Sequence, residues 1–206
     1  MENRKDMTNN FRKLPKELSV FLPFLAEVDK LESKGDAIIA IEGGSASGKT
    51  TLASLLSEMY DCNIFHMDDF FLRPEQRTPE RFAEVGGNVD RERFLDEVLI
   101  PLSEKREVCY RRFDCSEQAL CSPVNVVPKR LTFVEGAYSM HPELENYYDF
   151  SLFLDVSPEC QRNRILVRNS EAFAKRFFEE WIPYENRYFS ETNIEERCDM
   201  TIKIEF

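Results

Sequence analysis

The run Gly43-Gly44-Ser45-Ala46-Ser47-Gly48-Lys49-Thr50, continued by Thr51, has the residue types and spacing of a loop that grips a polyphosphate. Glycines let the chain curl until successive N–H groups converge on phosphate oxygens, and a following helix adds its partial positive charge. Lys49 is placed to reach the terminal phosphates, and the Thr50 hydroxyl to bind Mg²⁺. The setting supports this chemistry. Ala37-Ile38-Ile39-Ala40-Ile41 reads as a buried strand before the loop, and a helical pattern opens at Thr51-Leu52-Ala53 after it.

Phosphoryl transfer from a bound triphosphate also needs a base, a second hold on the metal and cations for the migrating group. Asp68 and Asp69 follow the apolar stretch Cys62–His66, where a carboxylate can accept a proton from an attacking hydroxyl. Adjacent aspartates also serve often as turn or helix-cap residues. Glu135 directly follows the apolar run Leu131–Val134 and is the expected second contact to Mg²⁺, with Gly136 allowing close backbone approach. Arg162, Arg164 and Arg168 share one helical stretch, and Lys175 and Arg176 come after it. Arg164 and Arg168 lie four residues apart on one face, so at least one is expected to point inward on a segment that closes over the phosphates.

The elements that must position these groups alternate. Five apolar strands are expected at Ala37–Ile41, Cys62–His66, Leu131–Val134, Phe150–Leu154 and Met200–Ile204, separated by helical stretches at Thr50–Met59, Arg91–Leu102 and the long interval from Pro158 to Phe189. This pattern predicts a doubly wound parallel α/β sheet with ligands beyond the carboxyl ends of its strands. Before it, apolar residues at Leu14, Leu18, Phe21, Leu22, Leu25, Val28 and Leu31 predict a helix over 11–34 that packs on the domain, with a contact between subunits as the other use of that face. The proline- and glycine-containing middle, Arg73 to Pro128, is expected to supply a helix and short hairpins on the acceptor side of the cleft.

Bulk properties narrow the partners. A chain of 206 residues suits one α/β domain. A net charge of −11 argues against general nucleic-acid binding, because a phosphate backbone is repelled at long range. Six cysteines without a C-x-x-C pair, and only two histidines, argue against structural zinc and for a reducing compartment. No apolar run spans a bilayer and the first ten residues lack a signal-peptide core, so the expectation is a cytoplasmic enzyme without membrane partners; a homo-oligomer stays open.

With these residues in place, the chain resembles the uridine kinase and nicotinamide riboside kinase family of P-loop phosphotransferases from about Asp36 onward. The likeness rests on Gly43–Thr50, Asp68-Asp69-Phe70-Phe71, Asn88-Val89-Asp90 with Phe94, Val134-Glu135-Gly136-Ala137, Trp181-Ile182-Pro183-Tyr184 with Tyr188, and Cys198-Asp199-Met200-Thr201-Ile202. It implies Asp68 as general base, Asp69 in support, and Asp90 as a binder of ribose hydroxyls; Asp90 also reads as an N-cap for the helix at Arg91. Tyr110, Arg112 and Asp114 are the nearest counterparts of the family's acceptor-side motif, although no histidine follows them before His141. Arg168-Asn169 stands where the family has arginine-aspartate.

The resemblance thus implies a three-layer P-loop NTPase fold: a five-stranded parallel sheet, helices on both faces, and a small helical lid at about 162–180. A helical extension (1–36) precedes a kinase domain (37–206). The implied activity is ATP- and Mg²⁺-dependent phosphorylation of a primary hydroxyl, foremost the 5′-OH of a ribonucleoside such as uridine or cytidine. Nicotinamide riboside, pantothenate or a sugar phosphate is the alternative acceptor; for the last, Arg111, Arg112 and Lys129-Arg130 offer cations. A nucleotide-binding regulatory module is the third reading, but the guanine-reading and switch motifs of a GTPase are absent from the sequence.

Overall fold

The structure, a computed structural model, describes residues 16–205. Five parallel strands form the central sheet: β1 (Ala37–Gly43), β2 (Cys62–His66), β7 (Leu131–Glu135), β8 (Phe150–Val156) and β9 (Met200–Ile204), in the order β2-β7-β1-β8-β9. All four neighbouring pairs are parallel. The five predicted strands are present, with β1, β7 and β8 running one or two residues further than apolarity alone suggested. Those added residues, Glu42, Glu135 and Asp155 among them, continue the ladder although their side chains are acidic, because strand pairing is a backbone property.

The β1 strand lies at the centre, and the chain leaves it toward β2 on one side and reaches β8 on the other. The crevice beyond its carboxyl end is the topological switch point. Register aligns Ile41, Glu135 and His66 across β1, β7 and β2, so the loop after β1, the end of β7 and the turn after β2 open onto one rim.

Helices cover both faces. In chain order they are α1 (Leu22–Lys34), α2 (Lys49–Met59), α3 (Pro79–Ala83), α4 (91–103, with a π-helical stretch Leu95–Leu99), α5 (Pro158–Arg168), α6 (Glu171–Arg176), α7 (Ile182–Thr192) and α8 (Ile194–Arg197). A π-helical turn, Phe177–Trp181, joins α6 to α7. One face buries Phe24, Leu25 and Val28 of α1 and Leu52 and Leu56 of α2 against Ile39, Ile41, Phe133 and Leu152. The other buries Phe65, Met67, Phe70, Phe94, Val98 and Tyr188. Each such side chain contributes about 1.5–3 kcal/mol by leaving water.

Two expectations are corrected. The helix predicted over 11–34 is a 3₁₀ turn, Lys16–Phe21, followed by α1; Pro23 sits in the first turn of α1, where a missing N–H costs no intrahelical bond and a helix start is favoured. The remainder of that prediction, with Leu14, lies outside the described residues. The long interval from Pro158 is likewise divided at Asn169-Ser170, where the Ser170 hydroxyl accepts from the Phe173 N–H and starts α6. Two small antiparallel pairs, β3 (Val108–Tyr110) with β6 (Val124–Val126) and β4 (Phe113–Asp114) with β5 (Ala119–Leu120), occupy the predicted hairpin region. No helix among the described residues is long and apolar enough to cross a membrane.

Candidate active site

The glycine-rich segment forms a closed loop between β1 and α2. Ser47 N–H donates to Gly44 O at 3.1 Å, and Ala46 and Gly48 take positive φ of 61° and 105°. Gly43 is required sterically: at φ 146° a Cβ there would lie 2.7 Å from Leu154 O. The first bond of α2 runs from Leu52 N–H to Gly48 O, so the amides of Lys49, Thr50 and Thr51 have no intrahelical acceptor. They are donors for an anion. Lys49 arches back over the loop, its Nζ donating to Gly43 O and Gly44 O at 2.8 Å each, which leaves one of its three protons.

A cavity of about 360 Å³ opens over this loop. Residues 46–51 line one part of it, Arg164 and Arg168 of α5 another, and Leu18, Phe21 and Ile204 supply apolar wall. Arg164 Nη1 donates to Ala46 O at 2.8 Å, and Arg168 lies over the Phe177 ring at 5.4 Å. Both arginines, four residues apart, thus line the cavity over the loop, and Arg164 touches the loop itself. Arg162 instead stacks on Phe178, and Lys175 and Arg176 pair with Glu179 and Glu180.

Asp68 lies in the 3₁₀ turn Met67–Phe70 immediately beyond β2. Asp68 is exposed as a residue, while protein surrounds its carboxyl at longer range. That environment pushes its pKa upward, Lys49 opposes the rise, Glu135 adds to it, and His66 and Arg168 pull it down. The carboxylate thus sits in the field of the loop lysine and of the α5 arginine. Gly136 allows this approach: a Cβ there would fall 2.5 Å from the Met67 Cβ.

Thr50 and Glu135 adjoin, with the Thr50 hydroxyl donating to Glu135 Oε1 at 3.2 Å. His66 Nδ1 lies 2.6 Å from the same oxygen, which raises the His66 pKa against the effect of burial. Among the described residues no group of three or more His, Cys, Asp or Glu gathers as a metal cage. Two hard oxygens beside a phosphate site nevertheless fit Mg²⁺, which keeps waters and substrate phosphates in its shell.

The predicted acceptor-side residues fare differently. Asp69 is half-buried, its pKa raised by desolvation and drawn down by His66 and Arg112. Asp90 is 2% exposed and is brought to the Asp68–Phe70 turn by its N–H donating to Phe70 O at 2.7 Å. Its carboxylate caps α4, accepting from Arg93 N–H, and lines a second cavity of about 660 Å³ with Arg73 and Arg93. Tyr110 is a packing residue, its ring stacked on Phe70 at 5.6 Å and edge-on to Phe65.

Arg112 is exposed and makes no hydrogen bond or ion pair among the described residues. Asp114 departs from expectation. Its carboxylate closes the β4–β5 turn, accepting from Ser116 N–H, Ser116 Oγ and Glu117 N–H, as a short acidic side chain does in a tight turn. Three of the four cations considered for a phosphorylated acceptor are engaged elsewhere. Arg111 donates to Leu120 O and Cys121 O, Lys129 pairs with Asp61, and Arg130 donates to Glu32 O.

Two carboxylates at the loop were missed in the sequence. Glu42, fully buried at the end of β1, accepts from Gly43 N–H and Met140 N–H and from Tyr188 Oη. Burial pushes its pKa up to about 7 against those bonds and Lys49. Glu185 of α7 accepts from the Ser45 N–H and hydroxyl. A lone acid closing an otherwise apolar strand was a usable signal for the first. For the second, the i, i+3 spacing of Glu185 with the core residue Tyr188 was the only trace.

Comparison with solved structures bears on the fold. A possible uridine kinase from Bacillus stearothermophilus superposes with a TM-score of 0.63 at 19% identity, over 88% of this chain and 100% of that one. A candidate fructose transport system kinase from Silicibacter sp. TM1040 gives 0.60 at 21% identity, over 81% and 89%. No family model matches the chain. At these identities the likeness establishes the fold, the parallel-sheet α/β fold of the P-loop kinases.

Proposed function

We propose that this protein is an ATP-dependent small-molecule kinase acting on an alcohol. The observation that supports the reading is Asp68, just beyond β2 on the rim shared with β1 and β7 and in the field of Lys49 and Arg168, together with a loop whose free amides line a cavity. The loop amides and Lys49 bind the triphosphate. Leu18, Phe21 and Ile204 offer apolar surface to the nucleoside end of the donor. Asp68 accepts the proton of the attacking hydroxyl, and a raised pKa brings its basicity closer to the working pH. Lys49, Arg164 and Arg168 stabilise charge on the transferred group, and closure of segment 162–180 as a lid keeps water out. Thr50 and Glu135 would hold Mg²⁺, which when bound neutralises charge on the β- and γ-phosphates.

For the acceptor, the leading reading is the 5′-OH of a ribonucleoside such as uridine or cytidine, held by Asp69 and Asp90, in a cytoplasmic enzyme. One observation favours a second reading, an alcohol that also carries negative charge. Arg112 is an uncommitted guanidinium in the field of Asp69. The test is transfer from labelled ATP across nucleosides, vitamins and sugar phosphates, read by product mass. A phosphorylated nucleoside supports the first reading and a phosphorylated anionic alcohol the second. Nucleotide binding without transfer to any alcohol would leave a regulatory module.

A further inference from the structure

Glu185 lies 140 residues from the phosphate loop in sequence and touches it directly. It is 5% exposed on α7. Its Oε2 accepts from Ser45 N–H at 2.8 Å and its Oε1 from the Ser45 hydroxyl at 2.5 Å. Both oxygens thus hold one residue, the third of the eight-residue loop. Two further side chains grip the adjacent carbonyls: Gln161 Nε2 donates to Ser45 O at 2.9 Å and Arg164 to Ala46 O. The fit is close, because a Cβ on Gly44 would lie 3.1 Å from Gln161 Nε2 and 3.4 Å from Glu185 Oε2.

The consequence concerns which amides remain for phosphate. Ser47 N–H is turned to Gly44 O and Ser45 N–H to Glu185, so neither is available to the cavity. The amides of Lys49 to Thr51 have no such acceptor. A carboxylate facing incoming phosphates is repelled by them, so Glu185 is tolerable only where it is bonded and beside a cation. Burial raises the Glu185 pKa, and Lys49 is the cation that opposes the rise together with the two Ser45 bonds, while Asp68 adds to it.

From this geometry we infer that Glu185 is a positioning residue for phosphoryl transfer, fixing Ser45 so that the remaining loop amides and Lys49 keep one orientation toward the donor phosphates. It touches the loop rather than the reacting atoms. The inference rests on the donor half of the kinase reading and is independent of the acceptor.

The experiment measures binding of a non-hydrolysable ATP analogue by calorimetry to wild type, Glu185→Ala, Glu185→Gln, Ser45→Ala and the Ser45→Ala/Glu185→Ala pair, with melting temperatures alongside. Glu185→Ala is expected to weaken binding by roughly tenfold or more, the scale of a lost hydrogen bond to a charged group. Glu185→Gln, which can accept from the amide and donate to the hydroxyl oxygen, is expected to recover most of it. The pair should be less than additive, because the two side chains share a bond. Once an acceptor is known, the effect should appear in the ATP KM and not in the acceptor KM. Equal binding by wild type and Glu185→Ala overturns the inference, and so does additivity in the pair. If Glu185→Ala does not fold, Glu185→Asp, whose shorter side chain cannot keep both bonds, and Glu185→Gln decide: wild-type affinity in Glu185→Asp overturns the inference, and a loss in Glu185→Asp that Glu185→Gln does not show upholds it. Failure of wild type to bind the analogue would instead remove the kinase reading itself.

Discussion

Asp90 Oδ2 lies 3.3 Å from Arg93 Nε, while Asp90 Oδ1 accepts from the Arg93 backbone N–H at the same distance. The carboxylate expected to meet substrate hydroxyls is thus also the cap of α4 and half of a buried ion pair. Arg93 in turn packs over Phe70 at 4.4 Å and donates to Asp69 O, so the pair ties α4 to the turn that carries Asp68.

Replacing Asp90 with Ala should therefore act twice. Loss of the cap costs about 1 kcal/mol, and Arg93 loses one of its two carboxylate partners while keeping Glu97 at 3.3 Å. Denaturant unfolding is expected to show this loss together with an acceptor KM that rises more than the ATP KM. A change confined to ATP would move Asp90 off the acceptor side.

Replacing Asp68 with Asn should leave ATP-analogue affinity close to wild type and reduce turnover by about two to four orders of magnitude. Steady-state rates paired with calorimetry check this. Wild-type turnover in the variant would remove Asp68 as the base.

Leu18 and Phe21 belong to the segment ahead of β1, yet line the cavity over the loop. Leu18→Asp is expected to raise the ATP KM several-fold, since a carboxylate there opposes both burial and the donor's charge, with the acceptor KM unchanged. Equal ATP KM values would confine the segment to packing.

Glu42 gives the fold a pH signature. Its pKa is about 7 when folded, against an ordinary value of 4.5, so between those values the folded state binds more protons than the unfolded state. Its contribution is full below about pH 4.5, declines as pH rises toward 7, and amounts to about 3 kcal/mol in all. Melting curves should show that Glu42→Gln gains on wild type between pH 5 and 8. A constant difference across that range would mean that Glu42 does not titrate with folding.

Much of this architecture was written in local pattern. Short apolar strands alternating with helices imply a parallel sheet, because only crossovers of that length join parallel neighbours. The loop Gly43–Thr50 was legible because its chemistry is carried by consecutive backbone amides, so spacing in sequence is spacing in space. Asp68 and Glu135 were legible as candidates for a related reason: one follows a strand by two residues and the other ends one, and strand ends in such a sheet share one rim.

The tertiary structure alone decided the rest. Whether an acidic side chain faces the cleft or closes a turn depends on neighbours far away in the chain, which is why Asp114 and Asp69 look alike in sequence and differ in place. Glu185 reaches Ser45 only because α7 is laid against the loop by its core residue Tyr188, whose hydroxyl donates to Glu42. Periodicity reports which face of a helix is apolar, not which strand end that face will meet. That choice is made when the helices pack, and the long-range contacts that result are what turned a recognisable loop into a furnished site.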